Sequence, residues 1–157
     1  MAGFVRCRRN VPTQFGLHRE LTDRIIWVFW TVVNELGTGY VEKVYQRAMA
    51  IALRAAGFDV DEKYTTVIYF RRREIGTHRF DLVVNGRILL ELKATTAFER
   101  AHAAQAIGYL RSSPLEVALI LNFGPNPSVK RVSFTNDRKQ LQTLPSTSET
   151  TDIALPD

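Results

Sequence analysis

The chain has 157 residues, 45% hydrophobic and 24% charged, which suits one domain with a substantial core. Its net charge of +5 favours a polyanionic partner such as nucleic acid. The single cysteine, Cys7, excludes an internal disulfide and a cysteine zinc cluster and is consistent with a reducing cytoplasm. The longest apolar stretch, 25–33, falls short of the roughly 20 residues a membrane helix needs. The basic start lacks the apolar core of a secretion signal.

Residues 1–19 read as a basic arm carrying Arg6, Arg8, Arg9 and Arg19, with Cys7 free of chemical duty. From Glu20 the pattern becomes helical: Thr22 stands where a cap is expected, and Ile25, Ile26, Phe29, Val32, Val33 and Leu36 recur at three- and four-residue spacing. Trp27 and Trp30 are expected to pack in the core, with a dimer seam as their other use. Gly37-Thr38-Gly39 ends this helix. A second helix spans 40–56, with Val41, Val44, Tyr45, Ala48, Ala52 and Leu53 as its apolar side and Gly57 as its stop.

The period then falls to two. Residues 60–70 form a β-rich run that turns at 71–76, where Arg71, Arg72 and Arg73 form either a solvated turn or a phosphate contact. Residues 78–84 and 87–93 are two further strands joined by Asn85-Gly86, a strong hairpin signal. A third helix fits 98–111, stopped by Ser112-Ser113-Pro114. The apolar run 115–123 reads as a strand buried on both faces. Residues 129–134 form a last strand, and 136–157, rich in Thr and Ser, are expected to be a disordered tail. The order is α-α-β-β-β-α-β-β, an α/β domain over 20–135 with a central mixed sheet flanked by helices.

Three residues carry the chemistry. Asp81 sits in an apolar strand, and Glu91 and Lys93 share one face of the next because side chains alternate. Two carboxylates with the Leu92 backbone carbonyl suit Mg²⁺, a hard cation that keeps several waters, with Lys93 beside it to assist a water nucleophile. Gln105 and Tyr109, four apart on the third helix, share a face with His102. The Gln105 amide can hold the attacking water or a phosphate oxygen. Tyr109 fits either core packing or the site, and His102 fits a helix surface better than catalysis. Glu42, in the first turn of the second helix, suits the helix dipole or a third carboxylate at the metal.

Gly39-Tyr40-Val41-Glu42-Lys43-Val44-Tyr45 matches a GxxExxY pattern. With Arg79-Phe80-Asp81-Leu82, Leu90-Glu91-Leu92-Lys93-Ala94, His102-Ala103-Ala104-Gln105 and Leu121-Asn122-Phe123-Gly124, the chain resembles the GxxExxY proteins, a branch of the PD-(D/E)XK nuclease superfamily, over 21–134. The spacing of Gln105 and Tyr109 resembles the QxxxY motif of RecB-like nucleases. The resemblance implies a restriction-endonuclease-like core in which Asp81 and Glu91 bind Mg²⁺ (Mn²⁺ substituting), Lys93 assists the nucleophile, Glu42 completes the site and Gln105 helps. It also implies a prokaryotic, intracellular setting. Three positions depart from the pattern: Phe80 stands where the superfamily has proline, Thr31-Val32-Val33 where relatives carry Glu-Val-His, and Ala103 where relatives often have Glu.

The expectation is therefore a cytoplasmic, Mg²⁺-dependent deoxyribonuclease. A homodimer would supply the second cut of a double-strand break. Two other functions compete with it: a weak or inactive module that keeps the fold to bind nucleic acid or a partner, and an oligomeric structural protein.

Overall fold

The computed structural model describes residues 16–139, so the expectations for Arg6, Cys7, Arg8 and Arg9, and for the tail past 139, lie outside the described residues. Two helices, α1 (Arg19–Leu36) and α2 (Glu42–Ala55), are followed by five strands: β1 (Val60–Asp61), β2 (Thr65–Phe70), β3 (Arg73–Arg79), β4 (Leu82–Val84) and β5 (Ile88–Lys93). Helix α3 (Arg100–Arg111) then leads to β6 (Val117–Asn122) and β7 (Ser128–Ser133), with a 3₁₀ turn at Asn136–Arg138.

The main sheet has the order β1-β4-β5-β6-β7, and β2 and β3 form a separate two-stranded sheet. Among the described strands only β5 and β6 pair in parallel, with Glu91 beside Ile120 and Lys93 beside Asn122; the other pairs are antiparallel. A parallel pair needs a long crossover, and α3 provides it. Residues on one face of the sheet (Leu82, Leu90, Leu92, Leu119 and Leu121) pack with Ile25, Phe29, Tyr45 and Leu53 of α1 and α2. Those on the other (Val83, Leu89, Ala118 and Ile120) pack with Ala106 and Leu110 of α3. The result is the α/β, restriction-endonuclease-like sandwich expected from the sequence. No helix among the described residues is long and apolar enough to cross a membrane.

The details differ from the sequence reading in four places. First, the run 60–70 is two strands, because Asp61 Oδ1 accepts the Lys63 N–H at 2.7 Å and turns the chain between them. The run 78–84 is likewise split at Phe80 and Asp81, so the described residues hold seven strands where the sequence reading has five. Second, Thr22 is no cap. It is buried within α1, its hydroxyl donating to the Arg19 carbonyl at 2.9 Å, and the N-cap is His18 in a left-handed conformation. Third, Trp27 is 68% exposed because the inward stripe of α1 runs through Ile25, Val28, Phe29 and Val32; Trp30, at 41%, packs edge-on against Phe29. Fourth, Val41 and Val44 are exposed, and the buried residues of α2 are Tyr45, Met49, Ala50 and Leu53.

The loop behind the sheet's C-terminal edge is fixed by Asn122, which is 1% exposed. Its Oδ1 accepts from the Thr95 and Gly124 N–H groups and its Nδ2 donates to the Thr95 carbonyl, each at 3.0 Å. This draws Gly124 so close that a Cβ there would lie 1.8 Å from the Thr95 carbonyl oxygen. Backbone cannot yield as a flexible side chain can. Gly124→Ala is expected to lower stability by about 2–3 kcal/mol, read as a drop in the urea midpoint with an unchanged slope. An unchanged midpoint would refute the close approach.

Candidate active site

Alternation on β5 sends Ile88, Leu90 and Leu92 toward α1 and α2, and leaves Glu91 and Lys93 on the α3 side, as predicted. Asp81 occupies the break between β3 and β4, held at both ends. Its Oδ2 accepts the Leu92 N–H at 2.8 Å, and its carbonyl accepts from Gln46 Nε2 at 2.8 Å. The aspartate is thereby fixed to β5 on one side and to α2 on the other.

Glu91 is 4% exposed, and its Oε1 has no hydrogen-bond partner. The His78 Nε2 stands 3.8 Å away, also buried and also without a partner. Burial pushes the Glu91 carboxyl up to about 8; the neighbouring Asp81 and Glu42 carboxylates push the same way, and Lys93 opposes them. Burial also lowers the His78 pKa, against a smaller opposing pull from Asp81, so the site disfavours a counter-charge on this imidazole.

Lys93 Nζ donates to Gln105 Oε1 at 3.3 Å. Gln105 is hydrogen-bonded in turn to Tyr109, whose hydroxyl pKa is raised first by burial and then by Glu91. Tyr109 stacks on His78 with ring centroids 3.7 Å apart and planes 9° from parallel. Phe80, where the superfamily has proline, is buried and stacked on Tyr64 at 5.5 Å, walling the site with apolar surface.

The structure thus brings together Asp81, Glu91, Lys93, Gln105 and Tyr109, with Glu42 at the start of α2 near enough to act on Glu91. Tyr109 packs against the second core and stands beside the polar cluster. His102 takes the structural role: its Nδ1 accepts the Glu99 N–H at 3.2 Å and caps α3. Arg71, Arg72 and Arg73 lie apart, at the far end of the β2–β3 hairpin.

Sequence reasoning missed two members of the cluster, His78 and Gln46. Each carried a signal. His78 shares the inward face of β3 with Gly76, and Gln46 stands one helical turn after Glu42.

With this geometry in place, the comparison with known families decides the lineage: residues 19–132 match the PD-(D/E)XK nuclease superfamily. The chain belongs to that superfamily. No curated protein matches the chain. Among solved structures, that of SSO0001 is similar at 14% identity with a TM-score of 0.49. The match covers 59% of this chain and 50% of that one, so the chain spans half the length of that protein.

Proposed function

We propose that the protein is a Mg²⁺-dependent deoxyribonuclease of the GxxExxY branch, hydrolysing phosphodiester bonds with Asp81, Glu91, Lys93, Glu42, Gln105 and Tyr109 as its working residues. One observation carries this reading. Glu91 is a buried carboxylate with an unpartnered oxygen, beside the fixed carboxylate of Asp81. A carboxyl so placed keeps its proton near neutral pH unless a cation takes the proton's place.

The donor set suits a hard ion. Among the described residues, no three His, Cys, Asp or Glu side chains gather closely enough to hold a metal by themselves. Two carboxylates, with the Leu92 carbonyl and water, match Mg²⁺ better than an ion that wants a full protein cage. When bound, Mg²⁺ or Mn²⁺ lowers the pKa of water and offsets charge on the phosphate. Asp81 and Glu91 hold the cation, and Glu42 adds negative charge at the rim. Lys93 assists the water nucleophile and Gln105 keeps the ammonium in place. Tyr109 and His78 stack beneath them and exclude solvent. Arg71, Arg72 and Arg73 bind phosphate.

The test is cleavage of plasmid and of labelled single-stranded DNA in Mg²⁺ or Mn²⁺, beside Asp81→Ala. The intact protein is expected to cut, and Asp81→Ala to lose at least about a hundredfold in rate. If the intact protein cuts neither substrate while both proteins bind DNA equally, the module that binds without cutting replaces this reading.

A further inference from the structure

Two hairpins of the chain turn through consecutive left-handed residues with opposite chemistry. At β4–β5, where Val84 pairs with Ile88 around a three-residue loop, Asn85 and Gly86 have positive φ (51° and 62°). Asparagine and glycine adopt that conformation at little cost. At β2–β3 the central residues Arg71 and Arg72 have φ of 48° and 64°, and Phe70 pairs with Arg73 across the turn. Arginine has no affinity for the left-handed region, so two in a row strain the turn where Asn-Gly would relax it. No ion pair among the described residues offsets that strain, and one exposed cation–π contact offsets little of it. No ion pair there involves Arg71, Arg72 or Arg73, and the guanidinium of Arg71 rests over the Phe70 ring at 5.2 Å. Phe70 and Ile75 beside them are 57% and 64% exposed. The side chains are therefore kept for something outside the protein.

The position of the turn says what that is. The β2–β3 ribbon stands as its own sheet, and β3 leads from the tip, past a register shift at Ile68/Tyr69, to Asp81. Asp81 lies eight positions after Arg73, a reach of up to about 25 Å of extended chain. That equals about seven base pairs along a duplex. We infer that the β2–β3 hairpin is an arm that grips the backbone of double-stranded DNA to one side of the cleaved bond, with Arg71 and Arg72 on phosphates. This rests on the proposed nuclease reading and adds the form of the substrate. Duplex is favoured over single strand on two grounds. A two-stranded ribbon fits the major groove. Sequence-tolerant binding of a single strand uses aromatic rings in series, whereas the tip offers one ring, and a guanidinium already lies over it.

The experiment replaces the strained turn with the relaxed one, Arg71→Asn together with Arg72→Gly, in the full chain. Binding to a fluorescein-labelled 30-base-pair duplex and to one of its strands is measured without divalent cation, so the outcome does not depend on whether the protein cuts. The variant is expected to melt no lower than the parent. It should bind duplex about tenfold or more weakly, with the slope of log K against log salt shallower by about 2, and lose less than about threefold on the single strand. Arg71→Lys with Arg72→Lys should keep most of the slope. Unchanged duplex affinity and slope in the Asn-Gly variant would overturn the arm, and equal losses on both substrates would overturn its assignment to duplex.

Discussion

Lys93→Ala is expected to slow DNA cleavage by roughly a thousandfold at saturating Mn²⁺, within the range a positioned proton-transfer or charge-stabilising group contributes. The ammonium is placed by two constraints. Alternation on β5 puts it on the face of Glu91, and Gln105 Oε1 accepts from Nζ at 3.3 Å. Among the described residues, Lys93 is the cation that opposes the rise in the Glu91 pKa. Its removal takes a positive charge away from the metal carboxylates as well as from the attack on phosphate, and a titration of Mn²⁺ separates the two: the apparent metal affinity does not fall, and the rate at saturation stays low. Gln105→Ala leaves the charge in place and removes only its tether, so a loss of about tenfold is expected. Initial rates of supercoiled plasmid nicking check both. A Lys93→Ala protein within about threefold of the parent at saturating metal would remove Lys93 from the chemistry.

Much of this site was legible in the sequence because strand alternation is a rigid rule. Once Asn85-Gly86 is read as a turn, Glu91 and Lys93 must share a face, and Asp81 must stand opposite that strand. The GxxExxY run likewise placed Glu42 at the head of α2. What failed depended on side-chain partners that the period does not encode. Thr22 looks like a cap, yet its hydroxyl bonds back into the helix, and the chain enters α1 through His18. Trp27 is the largest side chain a core could want, but a helical turn of roughly 100° per residue carries it outward. His78 stands at the start of the strand expected over 78–84. Its stacking on Tyr109 and its approach to Glu91 arise because β2 and β3 leave the main sheet and fold against α3, where Thr66 Oγ1 donates to the Ser112 carbonyl. A hairpin detaching from its sheet is a tertiary event with no local periodic signature.

The largest thermodynamic effect should come from Glu91→Gln, which removes the group that folding forces to take up a proton while keeping its shape. In the metal-free protein the folded Glu91 carboxyl titrates near 8, against an ordinary 4.5. The folded state therefore holds its proton where the unfolded chain has released it. Stability is full below about pH 4.5, falls as pH rises toward 8, and is flat above that. At pH 7 the penalty is roughly 3 kcal/mol, since each pH unit of the interval contributes about 1.4 kcal/mol. The substituted amide would not ionise, and it would face the His78 Nε2 that now lacks a partner. In EDTA at about pH 7 the variant should melt on the order of 5–10 °C above the parent, with the gap closing by about pH 4.5. The order reverses in function. Mn²⁺ should raise the melting temperature of the parent through binding linkage and leave the variant where it was, and the variant should not cut. A stabilised protein that has lost its metal response identifies Glu91 as a residue kept charged for a cation at the expense of the fold. Equal melting temperatures across roughly pH 5–8 in EDTA, or equal responses to Mn²⁺, would show instead that the carboxylate finds its compensation within the chain.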